Sequence, residues 1–280
     1  MTRKAFTLLE MVVSLGILAL ILSFAGLIFR VSIDSQRLAL ANAEVMQKLR
    51  VITEQLDADF KGAALQYPYI YDGYLATNTE TTTVAGGSTT VNSDALAFFA
   101  CGDFRSTSQY ADAGNSLQTV AGNVASILYC QPDPNSYPHP PKPYEKVLLR
   151  RQTILAIGGP DSSSDWRGEY LQESPQGWVV RPPYVDDPRR WVARPVVEPN
   201  NVKANLPMYL AKGVDNFTIH YLDASTVLDT EVIPWLRYTS ASGGSRVGAK
   251  AFKFTFTLYD SKGILKRGRT FTHIVVLDNA

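Results

Sequence analysis

Residues 5–29 read AFTLLEMVVSLGILALILSFAGLIF, and no residue from Met11 to Phe29 carries a charge. That run is about 19 residues long, or roughly 28 Å as a helix, which matches the hydrocarbon thickness of a bilayer. Arg3 and Lys4 precede it, and one carboxylate, Glu10, lies at its edge. A buried charge costs about 2.5–3.5 kcal/mol at the bilayer centre on insertion scales. The sequence therefore predicts a membrane-spanning helix in which Glu10 needs a partner or a purpose.

The sequence Lys4-Ala-Phe-Thr-Leu-Leu-Glu-Met11, followed by an apolar helix, resembles the prepilin leader of type IV pilins and type II secretion pseudopilins. In that family a membrane peptidase cuts before the Phe and methylates the new N-terminus. The resemblance implies a leader at 1–5, cleavage between Ala5 and Phe6, and N-methylation of Phe6. It also implies that Glu10 pairs with the N-terminal amine of a neighbouring subunit. One departure is Ala5, because the family usually has Gly there.

Three other interpretations compete for the apolar run. A secretory signal would be cut after Ala25, although the apolar run continues to Phe29. A plain single-span anchor fits the hydropathy but gives Phe6 and Glu10 no role. A buried core helix is disfavoured because the run has no polar face. Arg3 and Lys4 place the N-terminus in the cytoplasm under the positive-inside tendency.

Helical periodicity continues beyond the apolar run. Residues 30–66 contain no Pro and a single Gly, Gly62, which predicts a helix from about Phe6 to Leu65. One apolar stripe follows a spacing of three or four: Leu38, Ala41, Val45, Leu49, Ile52, Leu56 and Phe60. Charged residues are expected on the opposite face: Arg37, Glu44, Lys48, Glu54 and Asp57. We therefore divide the helix into a transmembrane part at 6–29 and an amphipathic extension at 30–66.

The patterns in residues 67–280 predict a β-rich head, and this segment is long enough to bury its own core. Strands are predicted at 92–101, 124–130, 146–157, 214–222, 251–259 and 269–277. The strand at 251–259 alternates most clearly, and the turn after it leads to a hairpin. The Thr-rich segment 80–90 is predicted to be a loop. A long irregular insert is predicted at 158–206, held to the head by Trp166, Trp178 and Trp191.

The chain has two cysteines, Cys101 and Cys130, each at the end of an apolar run. An oxidising compartment permits a disulfide between them if they lie on neighbouring strands. Two buried thiols are the alternative. We predict the disulfide.

No catalytic or nucleotide-binding motif is evident. His139, His220 and His273 form no metal-binding pair, and there is no Walker loop or nucleophile elbow. The net charge of +1 gives no general attraction for nucleic acid. Residues 161–165 and 186–187 offer oxygens to Ca²⁺, but the EF-hand pattern is missing. We predict a protein that is not an enzyme, with no cofactor and no nucleic-acid partner, Ca²⁺ being the alternative.

These patterns predict an α+β fold with a long N-terminal helix packed on an antiparallel β-sheet head, as in pilins. A second resemblance, to J-type minor pseudopilins and PilW-type minor pilins, rests on residues 49–63 (LRVITEQLDADFKGA), 148–151 (LLRR) and 210–223. It implies a minor subunit at the tip or initiation complex of a type II secretion pseudopilus. Its implied partners are other minor and major pilins or pseudopilins, the prepilin peptidase and the bacterial inner membrane, with the head in the periplasm.

Two alternatives remain open at this point. One is a minor pilin of a type IV pilus that serves adhesion, motility or DNA uptake. The other is a membrane-tethered β-rich binding module unrelated to filaments.

Overall fold

The computed structural model describes one long helix and a set of antiparallel strands, which confirms the predicted α+β fold class. The residues it describes are 8–63, 73–76, 79–84, 87–111, 117–132, 141–155, 166–168, 173–174, 177–178, 208–223, 235–236, 245–247 and 249–277.

Helix α1 runs from Leu8 to Lys61 over 54 residues, or about 80 Å. Leu, Ala, Ile and Met supply most of its first half and are compatible with a continuous helix. The helix ends at Lys61, several residues before the predicted limit at 66. Gly62 lies so close to the Cys101 backbone that a Cβ there would overlap the Cys101 carbonyl oxygen, and Ala63 already pairs with Ala100 as a β-bridge.

The second half of α1 packs on the head through the predicted stripe. The buried apolar residues of the helix are Ala41, Val45, Ile52, Leu56 and Phe60, and Leu49 is partly buried against them. Leu38 differs from the prediction, because its side chain is 47% exposed. The head therefore begins to cover the helix at Ala41.

A large antiparallel sheet has the strand order β10-β6-β5-β4-β1-β12, with β7 paired to β6. Its strands are β1 (Gly73–Ala76), β4 (Ala95–Ala111), β5 (Leu117–Cys130), β6 (Val147–Leu155), β7 (Trp166–Gly168), β10 (Tyr209–Lys212) and β12 (Ser245–Val247). Strands β4 and β5 extend well beyond the predicted limits, into polar sequence that gave no clear signal.

A second sheet contains β11 (Val214–Asp223), β13 (Ala249–Leu258) and β14 (Arg269–Val276), in the order β11-β13-β14. The predicted alternation in β13 is confirmed, since alternate residues are buried: Phe252, Phe254, Phe256 and Leu258. The predicted hairpin between β13 and β14 is also present.

Two small hairpins complete the described strands. Strands β2 (Thr79–Val84) and β3 (Gly87–Asn92) pair with each other, so the prediction of a loop at 80–90 is wrong. A high content of Thr, Gly and Ser is typical of loops, but Thr is β-branched and also suits a strand. Strands β8 (Glu173–Ser174) and β9 (Gly177–Trp178) also pair. They and β7 fall inside the predicted insert, and Trp191 lies outside the described residues.

The helix and both sheets share one hydrophobic core. Phe60 lies at its centre. Its ring stacks on Phe98 of the large sheet with 4.3 Å between centroids, and it lies 5.5 Å from Phe252 and 5.8 Å from Phe254 of the second sheet. Because one helical residue contacts both sheets, the helix forms part of the core of the head.

The turn between β13 and β14 is organised by one buried carboxylate. Asp260 accepts backbone N–H bonds from Lys262, Ile264 and Leu265 at 3.2, 2.9 and 2.8 Å. Burial raises the pKa of Asp260, but these hydrogen bonds stabilise the charged form more strongly, so the net pKa lies below its usual value. Gly263 supplies the positive φ of 66° that the turn requires.

We expect Asp260→Asn to lower the free energy of unfolding at pH 7 by about 1–3 kcal/mol, because a buried hydrogen-bond acceptor is lost. The folded-state pKa is depressed, so this stabilisation is complete above the unfolded pKa of about 3.9 and disappears as the pH falls through the folded value. Urea denaturation of the detergent-solubilised chain between pH 2 and pH 7 measures it. Asp103→Asn is the control, since that side chain is 73% exposed. A stability difference that is constant with pH would contradict this assignment.

Candidate assembly helix and its junction with the head

Residues 11–29 of α1 are apolar on all sides, and the first half of the helix makes little contact with the rest of the described chain. Every residue from Leu8 to Leu40 is exposed except Ala25, which is partly exposed. Leu9, Phe24 and Phe29 are 74%, 65% and 70% exposed. A helix that is hydrophobic all round requires lipid or other helices as its surroundings. By length and composition, α1 is a helix able to cross a membrane.

Glu10 lies in the first described turn of this helix, directly before the uncharged run. A carboxylate is favoured near a helix N-terminus, where the backbone N–H groups carry partial positive charge. Residues 1–7 lie outside the described part of the chain. The leader, the cleavage between Ala5 and Phe6 and the methylation of Phe6 therefore stay predictions, as does the assembly role of Glu10.

The other half of α1 is joined to the head by a buried ion pair. Arg150 in β6 donates from Nε to Asp59 Oδ2 at 2.6 Å and from Nη2 to Asp59 Oδ1 at 2.7 Å. The Tyr129 hydroxyl also donates to Asp59, as does Gln55 at 3.0 Å. Gln152 accepts from Arg150 at 3.0 Å. Only 5% of the Asp59 side chain and 16% of the Arg150 side chain is exposed.

The charges in this cluster are compensated within it. Burial raises the pKa of Tyr129 well above its usual value, and the neighbouring Asp59 carboxylate raises it further. The phenol is therefore a neutral donor at ordinary pH. Burial lowers the pKa of Arg150, but its bonds to Asp59 outweigh that effect, and the net pKa is raised. A bidentate guanidinium–carboxylate pair is directional, so it determines which side of the helix faces the sheet.

Sequence reasoning missed this cluster, although its two segments had been noted for their resemblance to minor pseudopilins. Asp59 lies in 49–63 and Arg150 in 148–151. The available signal was local. Asp59 directly precedes Phe60 and follows Leu56 at a spacing of three, so it belongs to the buried side of the helix. A charge in that position requires a partner of opposite charge.

Three residues expected on the outer, solvent-facing side of the helix contact the head instead. Glu44 accepts from the Ser261 N–H at 2.9 Å, Lys48 donates to the Tyr259 carbonyl at 2.9 Å, and His273 lies 2.8 Å from Asp57. Burial raises the pKa of Glu44, but hydrogen bonds from Lys48 and Ser261 produce a net lowering. The charged face is therefore partly used for docking to the second sheet.

The geometry is that of a protruding apolar helix anchored in a β-rich head. Residues 1–26 match the family model of the prokaryotic N-terminal methylation motif. The match supports a type IV pilin-like protein processed by prepilin peptidase, and the apolar helix is consistent with membrane anchoring. Comparison with curated proteins and with solved structures finds no significant match.

The predicted disulfide in this pilin-like chain is wrong. Cys101 and Cys130 do lie on neighbouring strands, but at opposite ends of the antiparallel pair. Cys101 is opposite Val124, whereas Tyr129, next to Cys130, is opposite Leu96. At about 3.4 Å per residue the two positions are some 15–20 Å apart, far beyond the 7 Å limit for a disulfide. Neither cysteine is disulfide-bonded.

The described residues contain no group of three His, Cys, Asp or Glu side chains placed to hold a metal. His220 lies in β11 and His273 in β14, whereas His139 is outside the described residues. The segments considered for Ca²⁺, 161–165 and 186–187, are also outside them. The absence of a cofactor, with Ca²⁺ as the alternative, therefore stays a prediction.

We expect Asp59→Asn to cost about 3–5 kcal/mol in free energy of unfolding, because the substitution leaves Arg150 buried without its counter-charge. Glu54→Gln is the matched control. The Arg50–Glu54 pair has a 2.7 Å N–O distance but is 77% and 63% exposed, so its loss should cost less than about 1 kcal/mol. Denaturant unfolding of the full chain measures both values. Equal costs for the two variants would show that the buried pair does not hold the helix to the head.

Proposed function

We propose that this chain is a minor subunit of a type IV filament system, in the tip or initiation complex of a type II secretion pseudopilus. Prepilin peptidase processes it, and α1 inserts it into the filament. The observation that carries the proposal is the combination within one helix: a methylation motif at 1–26, an apolar half exposed on every side, and a second half held in a large head.

Assembly follows from the exposed apolar half. Its side chains are stable in lipid and would also be stable against similar helices, because both surroundings keep apolar area out of water. Transfer from membrane to filament then requires little desolvation of the side chains beyond Glu10. A charge entering a helix bundle is tolerated when a counter-charge meets it, since two buried charges cost less together than apart. The methylated N-terminal amine of a neighbouring subunit supplies that charge.

The size of the head supports a terminal position in the filament. Helices pack side by side at 8–10 Å. A head of roughly 200 residues has a radius of gyration of about 17 Å. Heads this large interfere with each other when helices are closely spaced along a filament, but a subunit at the end has one open side. This favours a minor tip subunit over a repeated fibre subunit.

Before assembly, the chain resides in the bacterial inner membrane as a single-pass protein, with a cytoplasmic N-terminus and a periplasmic head. Its partners are other minor and major pilins or pseudopilins, which it contacts through α1. Co-purification with secretion pseudopilins, as opposed to pilus subunits, distinguishes the proposed system from a type IV pilus.

Processing tests the proposal directly. Coexpression with a prepilin peptidase should yield a mature chain that begins at N-methylated Phe6, by N-terminal sequencing and mass spectrometry. A peptidase-negative strain is the control and should retain Met1. A soluble product cut after Ala25 would contradict the proposal and would indicate an exported binding module.

Glu10→Gln should leave cleavage and membrane insertion intact but reduce filament initiation at least tenfold, because the carboxylate that compensates the neighbouring amine is lost. Quantitative immunoblotting of sheared filaments, or secretion of a reporter substrate, measures initiation. Ser14→Ala is the control within the same segment, since the Ser14 hydroxyl bonds only locally, to the Met11 carbonyl at 2.9 Å. Normal initiation by Glu10→Gln would exclude the proposed role.

A further inference from the structure

The turn between β13 and β14 lies at the end of the head that faces the apolar half of α1. Phe60 contacts Phe252 and Phe254 in β13, whereas Lys48 contacts Tyr259 and Glu44 contacts Ser261. Strand β13 thus runs opposite to the helix, and its turn is directed toward the exposed apolar segment. The head begins to cover the helix at Ala41.

This end of the head carries a cluster of cations. We call it the basic end surface; its residues are Lys142, Lys262, Lys266, Arg267 and Arg269, all exposed. Lys142 belongs to the cluster because the Tyr144 ring packs on the turn, where a Cβ at Gly263 would lie 3.1 Å from it. None of the five cations forms an ion pair with another residue that the structure describes.

Three carboxylates lie around this surface, and two of them, Asp260 and Glu145, offset part of its positive charge. Asp260 is buried and bonds to backbone N–H groups of its own turn. Glu44 pairs with Lys48 at 2.8 Å and accepts from Ser261. Glu145 accepts from the Lys142 backbone N–H at 2.9 Å. Five cations against the carboxylates of Asp260 and Glu145 leave the basic end surface with a local excess of three positive charges, although the whole chain has a net charge of only +1.

We propose that the basic end surface docks onto anionic phospholipid headgroups of the membrane that holds α1. This inference rests on the membrane anchoring in the proposed function and is independent of filament assembly. The basic end surface then gives the head a second attachment to the bilayer, in addition to the helix. Salt weakens this attachment.

Position is what favours a membrane over another anionic partner. Phe29 ends the uncharged run, and Ala41 lies about 18 Å further along the helix axis. The headgroup layer occupies about 5–8 Å of that distance. The remaining gap of about 10–13 Å exceeds one Debye length, which is about 8 Å at physiological ionic strength, so the attraction is largely screened when the helix stands upright. An ordinary helix tilt of about 20° lowers a point about 15 Å from the axis by about 5 Å, which brings the turn on that side within the screening length. Ile264, 38% exposed within the surface, adds an apolar contact suited to a membrane interface.

Lysine footprinting on the full chain tests this proposal. The chain is reconstituted in nanodiscs of phosphatidylcholine alone or with about one third phosphatidylglycerol, and acetylation by a water-soluble reagent is followed by mass spectrometry. Each cation near an anionic surface strengthens binding roughly fivefold. We expect acetylation of Lys262 and Lys266 to slow at least fivefold in the anionic discs and to recover in 0.5 M NaCl. Lys61, at the opposite end of the packed helix, is the internal control.

Arg267→Gln/Arg269→Gln removes two cations and keeps both reporter lysines. It should abolish most of the lysine protection, because two cations account for about a 25-fold change in the docked population. Arg50→Gln/Arg105→Gln removes the same charge from exposed positions outside the basic end surface and should leave the protection unchanged.

Equal acetylation rates in the two disc types would overturn the proposal while leaving membrane anchoring intact, provided that the chain co-elutes with the discs. Failure to co-elute would overturn both. Protection that depends on the number of chains per disc and not on lipid charge would assign the surface to contact between subunits, and would also overturn it.

Discussion

One helix has to satisfy two environments, and the buried pair between Asp59 and Arg150 determines how it does so. The pair is bidentate, with N–O distances of 2.6 and 2.7 Å, and Asp59 directly precedes Phe60, whose ring belongs to the shared core. Apolar packing holds a helix through the fit of its side chains, but the individual dispersion contacts have little directionality. A buried ion pair satisfied from both sides is directional. It makes the packed half of α1 part of the head. No described part of the chain packs against the other half.

The two sheets depend on the same arrangement. Phe60 stacks on Phe98 from the large sheet and approaches Phe252 and Phe254 from the second sheet. Glu44, Lys48 and Asp57 then attach the helix to the second sheet along its length. Polar contacts at the margin and aromatic contacts at the centre act together, so the β13–β14 turn is held at a defined level along the helix. Its lysines and arginines are therefore held at the end of the head nearest the exposed apolar segment.

The sequence predicted those elements whose signal is local and periodic. The helical apolar run, the stripe from Leu38 to Phe60 and the alternation of β13 all depend on spacing within one segment, and the structure confirms them except at Leu38, which is exposed. The errors have a different origin. The register of β4 against β5 separates Cys101 from Cys130, and register depends on contacts between strands. The Asp59–Arg150 pair joins residues 91 apart in the chain, so neither partner identifies the other. The β2–β3 hairpin was missed because a high content of Thr, Gly and Ser was given more weight than the β-branching of Thr.

Helix α1 is continuous from Leu8 to Lys61, without a proline between its exposed apolar part and its head-bound part. In a continuous helix, a rotation of one end about the axis also rotates the other end. An inserted residue anywhere in 30–40 would turn the head by about 100° about the axis and raise it by about 1.5 Å. The direction in which Glu10 points about the helix axis is therefore fixed relative to the β-sheets, and the number of residues in 30–40 sets the orientation of the head.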